Sequence, residues 1–259
     1  MNAIEGTPRA PSMLAIYARE AGYEFLRTLR MPAFAIPTLA FPAVFYLLFA
    51  VVLAGKDSAG RSVYMLATYG VFGVIGPALF GFGAGMANER EMGWMTLKRA
   101  APMPMGAYFF GKIAMSLLFG LLVVLLLSAL AVFAAGVRMP LATWLELLGT
   151  LMLGTLPFCA MGLMIGSAVR AQAAIALVNL VYMPMSVLSG LWIPLRAFPQ
   201  VLQEFAVGLP PYHLAKLALA IVGVGQASAV QTFAILAAYT TGFLAIAHRL
   251  QRRRESAGG

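Results

Sequence analysis

Six long apolar runs decide what this chain can fold into. They lie near residues 33–54, 63–87, 108–135, 141–168, 172–194 and 228–247. Each holds about 20 or more mostly apolar residues, enough for a helix to cross the ~30 Å hydrocarbon core of a bilayer. The chain is 61% hydrophobic and only 10% charged, whereas an average soluble domain has roughly a quarter charged residues. The sequence therefore predicts an all-α integral membrane protein, with a transmembrane domain of six helices over residues 31–248.

Two different segments precede the first run. Residues 1–10 are polar, and we expect a flexible N-terminus there. Residues 11–30 show apolar side chains at helical spacing and charged side chains on the opposite face. The apolar stripe comprises Leu14, Tyr17, Ala21, Phe25 and Leu29, and the charged face comprises Arg19, Glu20, Glu24, Arg27 and Arg30. This pattern predicts an amphipathic helix that lies in the membrane interface.

Residues 195–227 interrupt the pattern between the fifth and sixth runs. The segment contains Pro199, Pro210 and Pro211 and several polar residues, so it is a poor membrane span. It is nevertheless too apolar to be an ordinary solvated loop. We expect re-entrant helices that dip into the outer face of the membrane and return, with their ends covered by protein.

The distribution of basic residues predicts the orientation. With both termini on one side, that side holds 13 of the 18 Lys and Arg residues and the other side holds 5. Cytoplasmic segments are the ones enriched in Lys and Arg. We therefore expect both termini to be cytoplasmic, including a basic tail over residues 249–259. The formal net charge of +9 is explained by these span ends, so we expect no nucleic-acid partner.

A charged stretch over residues 88–99 separates the second and third runs. It carries five charged residues and one tryptophan, and charge of that density is excluded from hydrocarbon. We expect a cytoplasmic loop over residues 88–107. Topology alone explains its basic residues but gives no reason for Glu89, Glu91 or Trp94.

The sequence offers no complete catalytic or nucleotide-binding motif. Residues 106–112 match the start of a phosphate-binding loop, but Ile113 stands where Ser or Thr would hold magnesium, and no strand precedes the segment. His213 and His248 are the only histidines and lie far apart. The central parts of the six runs contain no ionisable residue of the kind that serves as a proton or sodium relay. We therefore expect no enzyme activity and no cofactor in this chain, and an external energy source for any transport.

Taken together, the order of these segments resembles the membrane (permease) subunits of type-2 ATP-binding-cassette (ABC) exporters. The resemblance covers nearly the whole chain. It depends on the helix before the first span, the stretch Asn88–Pro104, and the block from Ser189 to Leu214 with its Trp-Ile-Pro and Pro-Pro-Tyr-His motifs.

This resemblance implies a bacterial plasma (inner) membrane protein that forms a homodimer or heterodimer with a second permease and contacts membrane lipids. Mg-ATP would be bound by a separate ABC-type ATP-binding subunit. It also implies ATPase-coupling residues in the charged loop, namely Asn88, Glu89, Arg90, Glu91, Trp94, Lys98 and Arg99. A substrate pathway along the second and fifth spans would be lined by Thr68, Phe72, Phe80, Asn179, Tyr182, Met183 and Ser186.

The expected function is ATP-driven export of a hydrophobic or amphipathic compound, such as a drug, a lipid-like molecule or a peptide. The sequence leaves two alternatives open. One is a non-transporting membrane scaffold or signalling partner of an ATPase. The other is a membrane-embedded enzyme, for which we find no set of acids, histidines or nucleophiles at a common depth.

Overall fold

The computed structural model describes residues 12–53, 58–100 and 103–257, and every regular element in these ranges is helical. This confirms the all-α fold class. The helices are α1 (Met13–Leu29), α2 (Pro32–Tyr46), α3 (Ser58–Leu79), α4 (Met86–Glu91), α5 (Trp94–Ala100), α6 (Met105–Phe133), α7 (Leu141–Leu153), α8 (Leu156–Ala168), α9 (Ala171–Leu188), α10 (Gln200–Ala206), α11 (Pro210–Ile221) and α12 (Ala229–Ala257). The expected flexible N-terminus, residues 1–10, lies outside the described residues.

Six helical stretches within the described residues are long and apolar enough to cross a membrane, as predicted. They are Pro32–Val52, Gly60–Glu91, Met105–Phe133, Leu141–Ala168, Ala171–Leu188 and Ala229–Arg253. Two boundaries differ from the expectation in an informative way. The second stretch includes the first four residues of the predicted loop 88–107, because α3 continues into α4. The last helix runs through most of the predicted basic tail.

The second span changes its helical form part-way along. Pro77 lies inside α3 and has no N–H to donate to the carbonyl of residue 73. A π-helical segment, Phe80–Gly85, follows and connects α3 to α4. In such segments the backbone hydrogen bonds join residues five apart instead of four, and they often occur at functional sites. A similar segment, Leu47–Val52, ends the first span.

Helix α3 forms the centre of the bundle. Tyr69, Phe72, Ile75 and Leu79 on this helix are almost completely buried. Helices α2, α6, α8 and α11 all pack against α3. Helix α12 packs mainly against α8 and leaves most of its surface exposed. The core therefore lies around α3, and α12 is at the periphery.

Two glycines allow α8 to approach the second span closely. A Cβ atom added at Gly162 would lie 2.9 Å from the carbonyl oxygen of Ala78, and one added at Gly166 would lie 2.6 Å from that of Phe82. Real Cβ atoms do not approach backbone so closely. The small-residue spacing thus brings two helix backbones into contact, which is how small residues stabilise membrane helix pairs.

Helix α1 packs against α6, at the end of the bundle where α4 and α5 also lie; we call this the α1 end. The buried residues of α1 are Glu24 and Thr28, whereas Leu14 of the predicted apolar stripe is 81% exposed. The buried face contacts charged groups on α4 and α6, and the exposed apolar groups remain available to lipid. The location of α1 in the membrane interface stays a prediction.

The segment between the fifth and sixth spans contains a short 3-10 turn, Leu195–Ala197, followed by α10 and α11. Helix α11 packs against α3, α7 and α12, and its Leu214, Leu217 and Ala218 are buried. The segment is thus helical and attached to the bundle. Its re-entry into the membrane stays a prediction.

Candidate functional site

A group of buried charges joins α1, α4 and α6 at the α1 end. We call it the charge cluster and define it as Glu24 and Arg27 of α1, Glu89 of α4, and Tyr108 and Lys112 of α6. Glu24, Glu89 and Lys112 are at most 4% exposed, and Tyr108 is 1% exposed. Two carboxylates and two cations give a formally neutral group, so each buried charge has an opposite charge beside it.

The contacts within the charge cluster are close. The Nζ atom of Lys112 lies 2.7 Å from Oε1 of Glu24 and 3.1 Å from Oε1 of Glu89. Arg27 donates to the same Glu24 oxygen at 2.9 Å and also forms an ion pair with Glu89. The hydroxyl of Tyr108 donates to the second oxygen of Glu89 at 2.8 Å. Glu89 therefore accepts hydrogen bonds from both α1 and α6.

Arg27 stays charged in this setting. Burial alone lowers the pKa of its guanidinium, but the neighbouring carboxylates of Glu24 and Glu89 outweigh that effect and raise the pKa above its usual value. A second ion pair, between Lys98 of α5 and Glu20 of α1, lies next to the charge cluster. The Lys98 ammonium also lies 4.6 Å from the centre of the Tyr108 ring. Helices α1, α4, α5 and α6 are thus held together by charged contacts.

The two residues that follow Glu89 point to a different pair of helices. Arg90 donates to the carbonyl oxygens of Gly166 and Val169, at 2.7 and 2.6 Å, where α8 ends. Glu91 accepts a hydrogen bond of 2.9 Å from the N–H of Ala171, where α9 begins. A cation at a helix C-terminus and a carboxylate at a helix N-terminus both interact favourably with the helix dipole.

Helix geometry explains this division of contacts. Successive residues on an α-helix point about 100° apart, at about 3.6 residues per turn. Glu89, Arg90 and Glu91 therefore face three directions and contact α1 with α6, the end of α8, and the start of α9. A rotation or shift of α4 would change all three contacts at once.

Several apolar side chains of the charged stretch are exposed at its surface. Met92, Trp94 and Leu97 are 60%, 41% and 70% exposed on and just before α5. The guanidinium of Arg27 lies 5.4 Å from the centre of the Trp94 ring, which links this surface to the charge cluster. We call Met92, Trp94 and Leu97 the α5 surface.

The predicted coupling residues therefore separate into different environments. Glu89 is buried and contacts Arg27 of α1 and Tyr108 of α6, so its role in coupling would act through those helices. Arg90 and Glu91 contact α8 and α9, Lys98 pairs with Glu20, Asn88 lies beside Met92, and Trp94 is on the surface. The side chain of Arg99 lies outside the described residues. Sequence reasoning missed Met92 and Leu97, although their positions beside Trp94 in a polar stretch were a usable signal.

A second candidate site is a cavity of about 180 Å³ between α2, α3 and α9, which we call the α2–α9 cavity. Five predicted pathway residues line it, namely Phe72, Phe80, Asn179, Tyr182 and Met183. Helix α2 contributes Pro37, Thr38, Phe41 and Pro42, none of which sequence reasoning selected. Pro37 and Pro42 inside an apolar run were the sequence feature that could have indicated this part of the cavity wall. The cavity wall is mostly aromatic and apolar, and its polar groups include the Thr38 hydroxyl and the Asn179 amide.

Two predicted pathway residues do not line this cavity. Thr68 and Ser186 are fully buried, and each hydroxyl donates to a carbonyl one turn earlier in its own helix. Tyr182, by contrast, lines the α2–α9 cavity and is held in place by Phe72. Its ring stacks on Phe72 with centroids 4.8 Å apart, and its hydroxyl donates to the carbonyl oxygen of Phe72 at 3.0 Å.

The arrangement of a charged end, a central helix and a cavity beside the fifth span can be compared with known families. The family model described as "ABC-2 type transporter" matches residues 21–222, well over half of the chain. The chain belongs to the ABC-2 type transporter family. The matched range of this ABC-2 chain includes the charge cluster, the α5 surface and the α2–α9 cavity, and it ends before α12.

A relative from Bacillus subtilis (strain 168), described as "Putative transport permease YvfS", is similar over most of its length. It is 27% identical to this ABC-2 chain over 240 residues, which cover 90% of this chain and 96% of the relative. The family match and this relative together support a permease subunit of a transporter, a multi-pass membrane protein. ABC-2 membership also implies an ABC ATP-binding partner.

Proposed function

We propose that this chain exports a hydrophobic or amphipathic compound across the bacterial inner membrane, using ATP hydrolysis in a separate ABC ATPase subunit. The observation that carries the proposal is the connection between two features of one span. Glu89, Arg90 and Glu91 at one end of the second span contact four other helices. Phe72 and Phe80 of the same span line the α2–α9 cavity.

Substrate would pass beside the α2–α9 cavity. Aromatic rings and methionine suit a hydrophobic compound, and the Asn179 amide supplies a polar contact inside a mostly apolar wall. The cavity's volume of about 180 Å³ is small for a drug-sized molecule. We infer that a second permease, in a homodimer or heterodimer, encloses a larger space. The exposed apolar side chains Ile36, Val44, Ile175 and Leu180 on α2 and α9 would face that partner or the surrounding lipid.

The ATPase would dock at the α5 surface, with Mg-ATP bound entirely by that subunit. An exposed apolar group with charged residues around it is typical of an interface, whose centre is apolar and whose rim is polar. The excess of Lys and Arg assigned to this end favours a cytoplasmic location, with both termini inside. Movement of α5 on the ATPase would then reach α4 through the charge cluster. From α4 it would reach the end of α8, the start of α9 and the cavity wall.

The direct test is reconstitution of the permease with its ATPase in lipid vesicles. We expect ATP-dependent movement of fluorescent amphipathic compounds in one direction. A complex that hydrolyses ATP and moves none of a chemically broad panel would instead favour a scaffold or signalling role.

Trp94→Ala and Leu97→Ala are expected to weaken docking of the ATPase. Truncating an exposed anchor at an interface centre commonly costs about 2 kcal/mol, or roughly 30-fold in affinity. The affinity of the purified permease for its ATPase measures this directly. Leu97→Ala is the more specific test of docking, because Trp94 also contacts Arg27, and Trp94→Ala would therefore disturb the charge cluster as well.

The matched control is Leu141→Ala. Leu141 is 73% exposed, close to the 70% of Leu97, but it lies at the start of α7 at the opposite end of the bundle. It should leave the affinity for the ATPase unchanged. Wild-type affinity in both Trp94→Ala and Leu97→Ala would exclude the α5 surface as the docking site.

Asn179→Leu is expected to raise the substrate concentration needed for half-maximal transport by about 2- to 10-fold, since a neutral hydrogen bond contributes about 0.5–1.5 kcal/mol. The maximal ATPase rate should change little. Gln172→Leu is the control, because Gln172 is exposed on the same helix but does not line the cavity. Equal transport parameters for Asn179→Leu and Gln172→Leu would argue against a substrate contact at Asn179.

A further inference from the structure

A larger cavity, of about 450 Å³, lies between the start of α3, the turn after α9, and α11. We call it the α9–α11 cavity. Tyr64, Ser189, Arg196, Tyr212, Lys216 and Leu219 are among its lining residues. It shares no lining residue with the α2–α9 cavity.

The α9–α11 cavity lies at the opposite end of the bundle from the charge cluster. Tyr64 is 25 residues before Glu89 on one continuous span, which corresponds to roughly 37 Å of helix at about 1.5 Å per residue. A ligand in this cavity would therefore be far from the proposed ATPase-docking end. Its binding can be measured independently of transport.

Two cations line this cavity without a carboxylate partner among the described residues. Neither Arg196 nor Lys216 forms an ion pair there, and Glu204, the nearest carboxylate in sequence, instead accepts a hydrogen bond from Gln200. The count of basic residues assigns only 5 Lys and Arg residues to this end of the protein. Two of these 5 line one cavity, a placement that the positive-inside rule does not explain.

An unpartnered hydroxyl lies at the same place. Ser189 is 2% exposed, and its Oγ atom has no hydrogen-bond partner among the described residues. Buried polar groups normally have a hydrogen-bond partner. The neighbouring backbone is fixed, because the Tyr64 hydroxyl donates to the Gly190 carbonyl at 3.1 Å. The Ser189 Oγ atom itself is sealed from solvent, so it lies beneath the wall of the cavity and does not face its interior.

The rest of the wall is apolar. Pro194, Leu195, Leu219 and Val224 line the cavity beside the polar groups. A volume of about 450 Å³ falls within the range of roughly 300–1,000 Å³ that is typical of small-molecule sites. A ligand matched to this wall has a charged group and an apolar part.

We propose that the α9–α11 cavity binds the phosphate group of an amphipathic molecule. Arg196 and Lys216 supply the positive charge, and the guanidinium can donate two parallel hydrogen bonds to phosphate oxygens. The apolar wall contacts the beginning of the acyl chain. The phosphate is that of a membrane lipid rather than of a soluble anion.

The test is ligand binding to the purified full chain in neutral detergent, measured by native mass spectrometry or titration calorimetry. The probes are short-chain phosphatidylglycerol, short-chain phosphatidylcholine and inorganic phosphate. We expect phosphatidylglycerol to bind at least tenfold more tightly than phosphatidylcholine, whose own cation neutralises its phosphate. Arg196→Gln combined with Lys216→Gln should lower the affinity for phosphatidylglycerol at least tenfold.

Arg138→Gln is the matched control, because Arg138 is exposed in the turn between α6 and α7 at the same end of the bundle and does not line the cavity. It should bind phosphatidylglycerol as the wild type does. Unchanged affinity in the double variant, or equal affinity for both lipids, would overturn the proposal. Competition by inorganic phosphate at a concentration similar to that of the lipid would overturn its lipid part and assign the site to a soluble anion.

Discussion

Lys112→Met is expected to destabilise the protein by about 3–5 kcal/mol, the usual cost of removing one partner from a buried ion pair. Lys112 is 1% exposed and forms ion pairs with both Glu24 and Glu89. Without its ammonium, two buried carboxylates retain only Arg27 as a cation in the charge cluster. Thermal or denaturant unfolding of the purified chain in detergent should show the loss, together with weaker binding of the ATPase.

The control for this prediction is a double variant that restores the charge balance of the charge cluster. In Glu24→Gln combined with Lys112→Met, one carboxylate and one cation remain, and the double variant should be clearly more stable than Lys112→Met alone. Arg138→Met removes an exposed cation and should change stability by less than about 0.5 kcal/mol. If Lys112→Met unfolds as the wild type does, the charge cluster is not a stabilising contact.

Gly166→Ala and Gly162→Ala are expected to force α8 away from the second span. The added Cβ at Gly166 would meet the backbone oxygens of Phe82 and Gly83 at 2.6 and 2.8 Å. Backbone cannot move aside as a side chain can, so we expect a loss of about 1–3 kcal/mol for each variant. Because α8 also ends at the carbonyls that Arg90 contacts, the double variant should reduce transport as well as stability.

Gly149→Ala is the matched control, since Gly149 lies inside α7 with nothing within 4 Å of an added Cβ. There the change should be neutral or slightly stabilising, by up to about 1 kcal/mol, because alanine has the higher helix propensity. Unfolding temperatures of the three single variants give the comparison. Equal stability of Gly166→Ala and Gly149→Ala would show that α8 and the second span are not in close contact.

The candidate site was only partly predictable from the sequence. Asn179 and Tyr182 were selected because a polar group at membrane depth needs a partner or a wet cavity, and both line the α2–α9 cavity. Ser186 was selected by its position on the fifth span, and its hydroxyl donates to the Tyr182 carbonyl of its own helix. The Asn179 amide also donates to its own helix, to the Ile175 carbonyl at 3.0 Å, yet its side chain lines the cavity. Residue type alone did not separate these two outcomes.

The sequence alone determined the fold class and the number of spans. An apolar run of about 20 residues has few alternatives to a spanning helix, because backbone groups must be hydrogen-bonded within the membrane. Only the tertiary structure decided which way each helix faces. Glu24 and Lys112 are 88 residues apart, and their contact at 2.7 Å depends on how α1 is rotated against α6. That rotation is set by packing between helices, which the local pattern of α1 does not contain, and so the carboxylates expected at the surface are buried.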